Sequence, residues 1–167
     1  MPERHPLPSL RQPAGALGAT ALALTVLLAG AVSGALAPLE RLLAAQMAIR
    51  PLPAAYFFLF ILVGALLPLL LRWRRRQQPQ ARAVLDPYLL LLAGQILSEA
   101  LVVQAGGRGL GVLVGMVFTL LRLLQLLQLR PLAGERRWLQ RLLALELVLW
   151  SVNATQMLLF RWIPLLR

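Results

Sequence analysis

The stretch that decides the fold is residues 87–129, PYLLLLAGQILSEALVVQAGGRGLGVLVGMVFTLLRLLQLLQL. Two apolar runs flank the glycine-rich segment GGRG at 106–109. A run of about 20 mostly apolar residues is long enough to cross the hydrocarbon core of a bilayer as a helix. Clustered glycines favour a tight turn. The stretch therefore predicts a hairpin of two antiparallel transmembrane helices, at about 87–104 and 110–129.

The rest of the chain repeats this pattern of long uncharged runs separated by short arginine-rich segments. Hydrophobic residues make up 59% of the sequence, whereas an average soluble domain has about 45–50%. The sequence therefore predicts an all-α polytopic transmembrane helical bundle with about five spans in one domain, residues 14–163. The predicted spans are residues 16–36, 54–71, 87–104, 110–129 and 142–160.

Shorter segments flank these spans. Residues 1–13 form a polar tail and residues 164–167 a short second tail. Residues 39–50 alternate apolar and polar side chains between prolines, which predicts an amphipathic helix at the membrane interface.

The first span has a second interpretation. A basic start, an apolar run and the small residues Ala35 and Ala37 also resemble a cleaved secretory signal. The run exceeds the usual signal core of about 7–15 residues, which favours a retained span.

Two prolines predict features inside the bundle. Pro68 lies within the second apolar run, where it predicts a kink, because proline removes a helix hydrogen bond. Asp86 followed by Pro87 is typical of a helix start, with the acid as N-cap and proline in the first position.

The arginine distribution predicts the orientation. All 17 basic residues are arginine, and the net charge is +11. With a cytoplasmic N-terminus and five spans, eleven arginines lie inside, five lie outside and Arg122 is intramembrane. Arginines at the ends of apolar runs, without a soluble scaffold, argue against nucleic-acid binding. We expect a multi-pass protein of the bacterial inner (plasma) membrane or another internal membrane.

Several chemistries are excluded by composition. The chain has no cysteine, and its one histidine is His5. Disulfides, thiolate zinc sites, iron–sulfur clusters and covalent haem attachment are therefore excluded within the chain. Ser98, beside Glu99, has no histidine or lysine to act as its base. We expect no metal, no cofactor and no enzymatic activity.

Three ionisable residues fall inside the predicted spans: Glu99, Arg122 and Glu146. Such residues usually face the bundle interior or pair with one another. Glu99 and Arg122 lie on adjacent antiparallel helices, and their side chains tilt toward each other. The sequence therefore predicts a Glu99–Arg122 pair, with Glu146 extending to the inner interface or joining Gln125.

Polar and small residues near these charges predict how the spans pack. Polar stripes on three consecutive spans are expected to face one another, and small residues allow close approach of helices. The candidate interior residues are Gln95, Ser98, Glu99, Arg122, Gln125, Glu146 and Asn153. The candidate packing residues are Gly30, Gly34, Gly111, Gly115 and Thr119.

Three classes of function remain. The first is an accessory, assembly or scaffold protein that packs its helices against a membrane protein partner. The second is an oligomeric transporter or channel component with a Glu99–Arg122 polar pathway. The third is a membrane enzyme, or a pigment- or lipid-binding protein, in which Gln95 or Asn153 would be the pigment ligand.

Overall fold

The computed structural model describes residue 22, residues 25–49 and residues 54–163, and all the regular elements there are helical. Both predicted tails lie outside these ranges. The helices are α1 (Thr25–Val32), α2 (Ala37–Ile49), α3 (Ala54–Ile61), α4 (Leu67–Arg74), α5 (Pro79–Gly106), α6 (Arg108–Leu129) and α7 (Arg137–Met157). Two π-helical turns, Leu62–Leu66 and Leu158–Trp162, and a 3-10 turn, Pro131–Ala133, connect or extend them. The all-α prediction is confirmed.

Four helical segments in the described part are long and apolar enough to cross a membrane. They are Ala55–Arg74, Pro79–Gly106, Arg108–Leu129 and Arg137–Phe160. The number becomes five if α1 and α2 together form one broken span. The prediction of about five apolar helices of membrane-spanning length agrees with this range.

The first predicted span is not a straight helix. α1 and α2 meet at a bend of 99°, and Gly34 lies in the bend with a φ of +73°. That conformation is costly for residues with a side chain and favours glycine. The predicted helix over residues 16–36 is therefore interrupted before its expected end, and its first residues lie outside the described part.

α2 packs across the start of α6. A Cβ at Gly109 would lie 2.2 Å from the carbonyl oxygen of Glu40 and 2.9 Å from the amide nitrogen of Ala44. The Gly109 amide donates to the Glu40 carboxylate at 3.4 Å, and an acid near a helix N-terminus is favourable. Leu43 is fully buried beside this crossing. α2 is therefore held at the same end of the bundle as the α5–α6 turn.

The kink predicted at Pro68 corresponds to a local widening of the helix. The π-helical turn Leu62–Leu66 comes directly before α4, which begins at Leu67 with Pro68 in its first turn. A proline without an amide hydrogen commonly accompanies such a turn. α3, the π turn and α4 form one continuous helical segment that is long and apolar enough to cross a membrane.

The predicted helix start at Asp86–Pro87 is wrong. α5 begins at Pro79, after an extended Gln78, and Pro87 lies inside the helix. Proline at the first position explains the start. Pro87 leaves the carbonyl of Ala83 without its helix partner, but Ala83 is exposed. Asp86 forms ion pairs with Arg72 and Arg82 instead of capping the helix.

The core lies mainly between α5, α6 and α7. Its largest buried apolar cluster lies toward the arginine-rich end and includes Leu85, Leu126, Leu139 and Trp150. At this end, Arg136 donates to Gln80 and Arg75 lies over the Trp138 ring. The loops before α5 and α7 are thereby joined at one end of the bundle.

Candidate functional site

Arg122 is the most deeply buried charge in the described part of the chain. Its exposed fraction is 0%. Its Nη1 donates to the carbonyl oxygen of Tyr88 at 2.6 Å and to Oε1 of Gln125 at 2.9 Å. Gln125 Nε2 in turn donates to the carbonyl oxygen of Pro87 at 2.8 Å. Two polar side chains of α6 are therefore attached to consecutive carbonyls of α5.

Two aromatic rings also contact the Arg122 guanidinium. Its Cζ lies 4.3 Å from the ring centroid of Tyr88 and 5.3 Å from that of Trp150. A guanidinium over an aromatic face within about 6 Å is attracted to the ring electrons. Phe60 packs edge-on against Trp150, with ring centroids 5.0 Å apart. The arginine thus connects α5, α6 and α7, and α3 closes the cluster through Phe60.

Glu146 faces this cluster and not the membrane interface. Its exposed fraction is 1%. Oε2 lies 2.7 Å from the Tyr88 hydroxyl and accepts from Trp150 Nε1 at 3.2 Å. The prediction that Glu146 extends to the interface or joins Gln125 is wrong, because its carboxylate is buried against the Tyr88 hydroxyl and the Trp150 indole.

The Tyr88 hydroxyl has one proton and two acceptors. Besides Glu146, it lies 2.8 Å from the carbonyl oxygen of Gly64. Pro68 lacks the amide hydrogen that would bind this carbonyl four residues earlier in a regular helix. The Tyr88 hydroxyl therefore lies beside a carbonyl that receives no hydrogen from Pro68, and its one proton is donated to either Gly64 or Glu146 at a given moment.

Glu99 and Arg122 do not form the predicted pair. The ion pairs in the described part are those of Asp86 with Arg72 and Arg82. Glu99 Oε1 accepts from Gln95 Nε2 at 3.3 Å and packs against Gly115.

The separation along α6 explains why this pair does not form. Gly115 precedes Arg122 by seven residues, about 10 Å of helix at 1.5 Å per residue. The long arginine side chain also extends toward Tyr88, in the direction opposite to Glu99. The tilt of the Cα–Cβ bond toward the helix N-terminus therefore does not determine where the guanidinium of this long side chain lies.

A second series of hydrogen bonds joins three helices. The Tyr56 hydroxyl donates to Oδ1 of Asn153 at 2.5 Å, and Asn153 Nδ2 donates to the Thr119 hydroxyl at 2.8 Å. Thr119 then donates to the carbonyl of Gly115 at 2.6 Å. Asn153 thus connects α3, α6 and α7. Ser98 donates to the Gly94 carbonyl of its own helix, at 2.6 Å.

The four candidate packing glycines differ in their surroundings. A Cβ at Gly111 would lie 2.8 Å from Val103, and one at Gly115 would lie 2.9 Å from Met157. These two glycines allow close contact with α5 and α7. A Cβ at Gly30 would meet Leu36 of the same bent segment, and one at Gly34 would meet nothing within 4 Å. The second pair therefore shapes the α1–α2 bend.

Some buried polar atoms in this region have no hydrogen-bond partner among the residues that the structure describes. They are Nε and Nη2 of Arg122, Oε1 of Glu146, Oε1 of Gln95 and both amide atoms of Gln156. Within the described residues, no group of three or more His, Cys, Asp or Glu side chains is placed to hold a metal ion. The arrangement can hold the helices together and keep the side chains of Arg122 and Glu146 buried inside the protein.

Sequence reasoning did not identify the aromatic residues of this site. Tyr88, Trp150 and Tyr56 supply hydrogen bonds or ring faces to the buried polar groups. One signal was available, because Trp150 follows Glu146 by four residues and such residues are neighbours on a helix. The tyrosines carried no comparable signal, since their partners lie on other helices.

Comparison with known proteins identifies no family. No protein-family model matches the chain, and no curated protein or solved structure shows significant similarity to it. Function is therefore argued from the geometry.

Proposed function

We propose that this chain is a small integral membrane accessory, assembly or scaffold protein that acts by packing its helices against a membrane protein partner. The proposal rests on the position and contacts of Arg122. Its guanidinium is fully buried, hydrogen-bonded to α5 and flanked by rings of α5 and α7. A charge placed in this way holds helices together and is poorly placed to bind a passing solute.

The outer faces of the helices indicate where a partner would pack. Only 11% of the residues in the apolar stretch of Ala55–Arg74 are buried, compared with 44% in the apolar stretch of Arg108–Leu129. Phe58, Leu62 and Leu66 follow one another at four-residue intervals, and all are exposed. Of the four helical segments of membrane-spanning length in the described part, this one is the least buried, so it leaves the most of its apolar residues open to a neighbour.

Photo-crosslinking in native membranes tests this proposal. A photoreactive residue at Leu62, which is 59% exposed, should give an adduct of one defined mass with a second membrane protein. The matched control is Leu124, which is 58% exposed on the better packed α6 and should give lipid adducts only. Protein adducts from neither position, with the chain migrating alone after mild extraction, would contradict the proposal.

The transport alternative rests on the unpartnered polar atoms of Gln95, Arg122 and Glu146, which lie in the same interior. It requires Glu99 to take part in conduction. In proteoliposomes containing the chain alone, we expect the same proton and cation flux from the wild type and from Glu99→Gln. A flux that the substitution abolishes, in a folded protein, would favour the transporter or channel.

We also propose that the arginine-rich end and the N-terminus face the cytoplasm, in a bacterial inner membrane or another internal membrane. The positive-inside rule supports this orientation. The chain has no cysteine, so single cysteines at Gln77 and Arg108 can be labelled selectively. An impermeant maleimide should reach Arg108→Cys from outside and Gln77→Cys only after the membrane is opened. Labelling of both from the same side would exclude the five-span orientation.

A further inference from the structure

A surface recess lies between the end of α4 and the first turn of α5. Its volume is about 530 Å³, and it is lined by Arg76, Gln77, Pro79 and Arg82. The recess follows directly after the candidate span Ala55–Arg74 and lies where the next span begins. In a bilayer, this position corresponds to the headgroup layer.

The recess carries positive charge that the described residues do not neutralise. Segments 72–86 and 130–141, which meet at this end, contain nine arginines and two carboxylates. Asp86 pairs closely with Arg72, and its contact with Arg82 Nε is longer, at 3.8 Å. Arg76 is exposed and has no ion pair in the described part of the chain. Guanidinium groups bind phosphate oxygens through paired hydrogen bonds.

An apolar wall continues from the recess toward the middle of the span. Trp73 is 71% exposed, and Leu69 and Leu70 are more than half exposed. Leu69 and Trp73 are four residues apart in α4, which places them on one side of that helix, and Arg76 follows in the turn after the helix ends. A ligand that fits both parts has a negatively charged head and an apolar tail.

We propose that the recess binds the phosphate group of an anionic phospholipid, with an acyl chain lying along Leu69, Leu70 and Trp73. Arg76 and Arg82 bracket the phosphate, and the Gln77 amide donates to its oxygens or to the headgroup. A free phosphate ion would use the arginines but leave the apolar wall unused. The inference requires the chain to lie in a membrane, but it does not require the accessory function.

Tryptophan quenching tests this site in the full-length chain. The protein is reconstituted into phosphatidylcholine vesicles with increasing fractions of brominated phosphatidylglycerol. Quenching of Trp73, identified by its loss in Trp73→Phe, reports lipid at the wall. The double variant Arg76→Gln, Arg82→Gln should require a roughly 25-fold higher fraction for half-maximal quenching, since each basic residue near an anionic surface contributes about fivefold.

The control changes equal charge elsewhere at the same end. Arg137→Gln with Arg141→Gln should leave the half-maximal fraction within about twofold of the wild type. Equal losses from both double variants would show diffuse attraction and overturn the proposal. Displacement of the lipid by inorganic phosphate in detergent would assign the recess to a free anion and would also overturn it. Gln77→Glu, which keeps both arginines, should weaken binding even if the double variant folds poorly.

Discussion

Replacing Arg122 with methionine should lower the free energy of unfolding by about 3–5 kcal/mol, because one of two opposite buried charges is removed. Glu146 would remain buried, with only Tyr88 and Trp150 as neutral donors. The carbonyl of Tyr88 and the amide of Gln125 would also lose their contacts with the guanidinium. Reversible unfolding in mixed micelles, followed by helical circular dichroism, measures the loss.

A double-mutant cycle separates the charge effect from a packing effect. Combining Arg122→Met with Glu146→Gln should cost less than the sum of the two single changes by at least about 1 kcal/mol, because residues in one network couple. Glu146→Gln keeps the shape and one acceptor for Trp150. Additive effects, or a stable Arg122→Met variant, would show that the two charges do not depend on each other.

Replacing Gly109 with alanine should separate α2 from α6. The new methyl group would lie 2.2 Å from one backbone atom of α2 and 2.9 Å from another, and backbone atoms cannot rotate away. Overpacking usually costs about 1–3 kcal/mol, and we expect the upper end here. Hydrogen exchange of the α2 amides should rise, while exchange in the middle of α7 should change little.

Gly94 provides the matched control. A Cβ there would lie 4.0 Å from Phe118, an ordinary contact distance. Gly94→Ala should be neutral or slightly stabilising, because alanine favours a helix more than glycine does. Equal exchange rates for the α2 amides in Gly109→Ala and Gly94→Ala would mean that the α2–α6 crossing is looser than the contact distances indicate.

Features set by neighbouring residues in the sequence are predicted more accurately than features set by contacts between helices. α6 was predicted as residues 110–129 and spans Arg108–Leu129, because its apolar length and glycine turn are local properties. The start of α5 was misplaced by eight residues, because Pro79 and Pro87 carry the same local signal. The helix begins at Pro79. Asp86, which would cap a start at Pro87, instead forms ion pairs with Arg72 and Arg82.

The polar contacts were predicted less well than the helices. Composition placed Glu99, Arg122 and Glu146 inside the bundle, but it did not determine their partners. Arg122 binds a backbone carbonyl 34 positions earlier, and Glu146 meets a tyrosine 58 positions earlier. Such partners depend on helix register and on the direction of long side chains. Glu99 packs against α6 about two helical turns from Arg122, and an offset of this size is enough to give each residue a different partner.

The order of these contacts along the chain bears on synthesis and insertion. Within the described residues, the hydrogen bonds of Arg122 are to α5 and α6, so they are available to the helical hairpin alone. The contacts of Glu146 and Trp150 with Tyr88 require α7, which is made after that hairpin. A nascent chain therefore has backbone and amide partners for its buried arginine before the balancing carboxylate leaves the ribosome. α7 then adds the Glu146 carboxylate to this hairpin and completes the core.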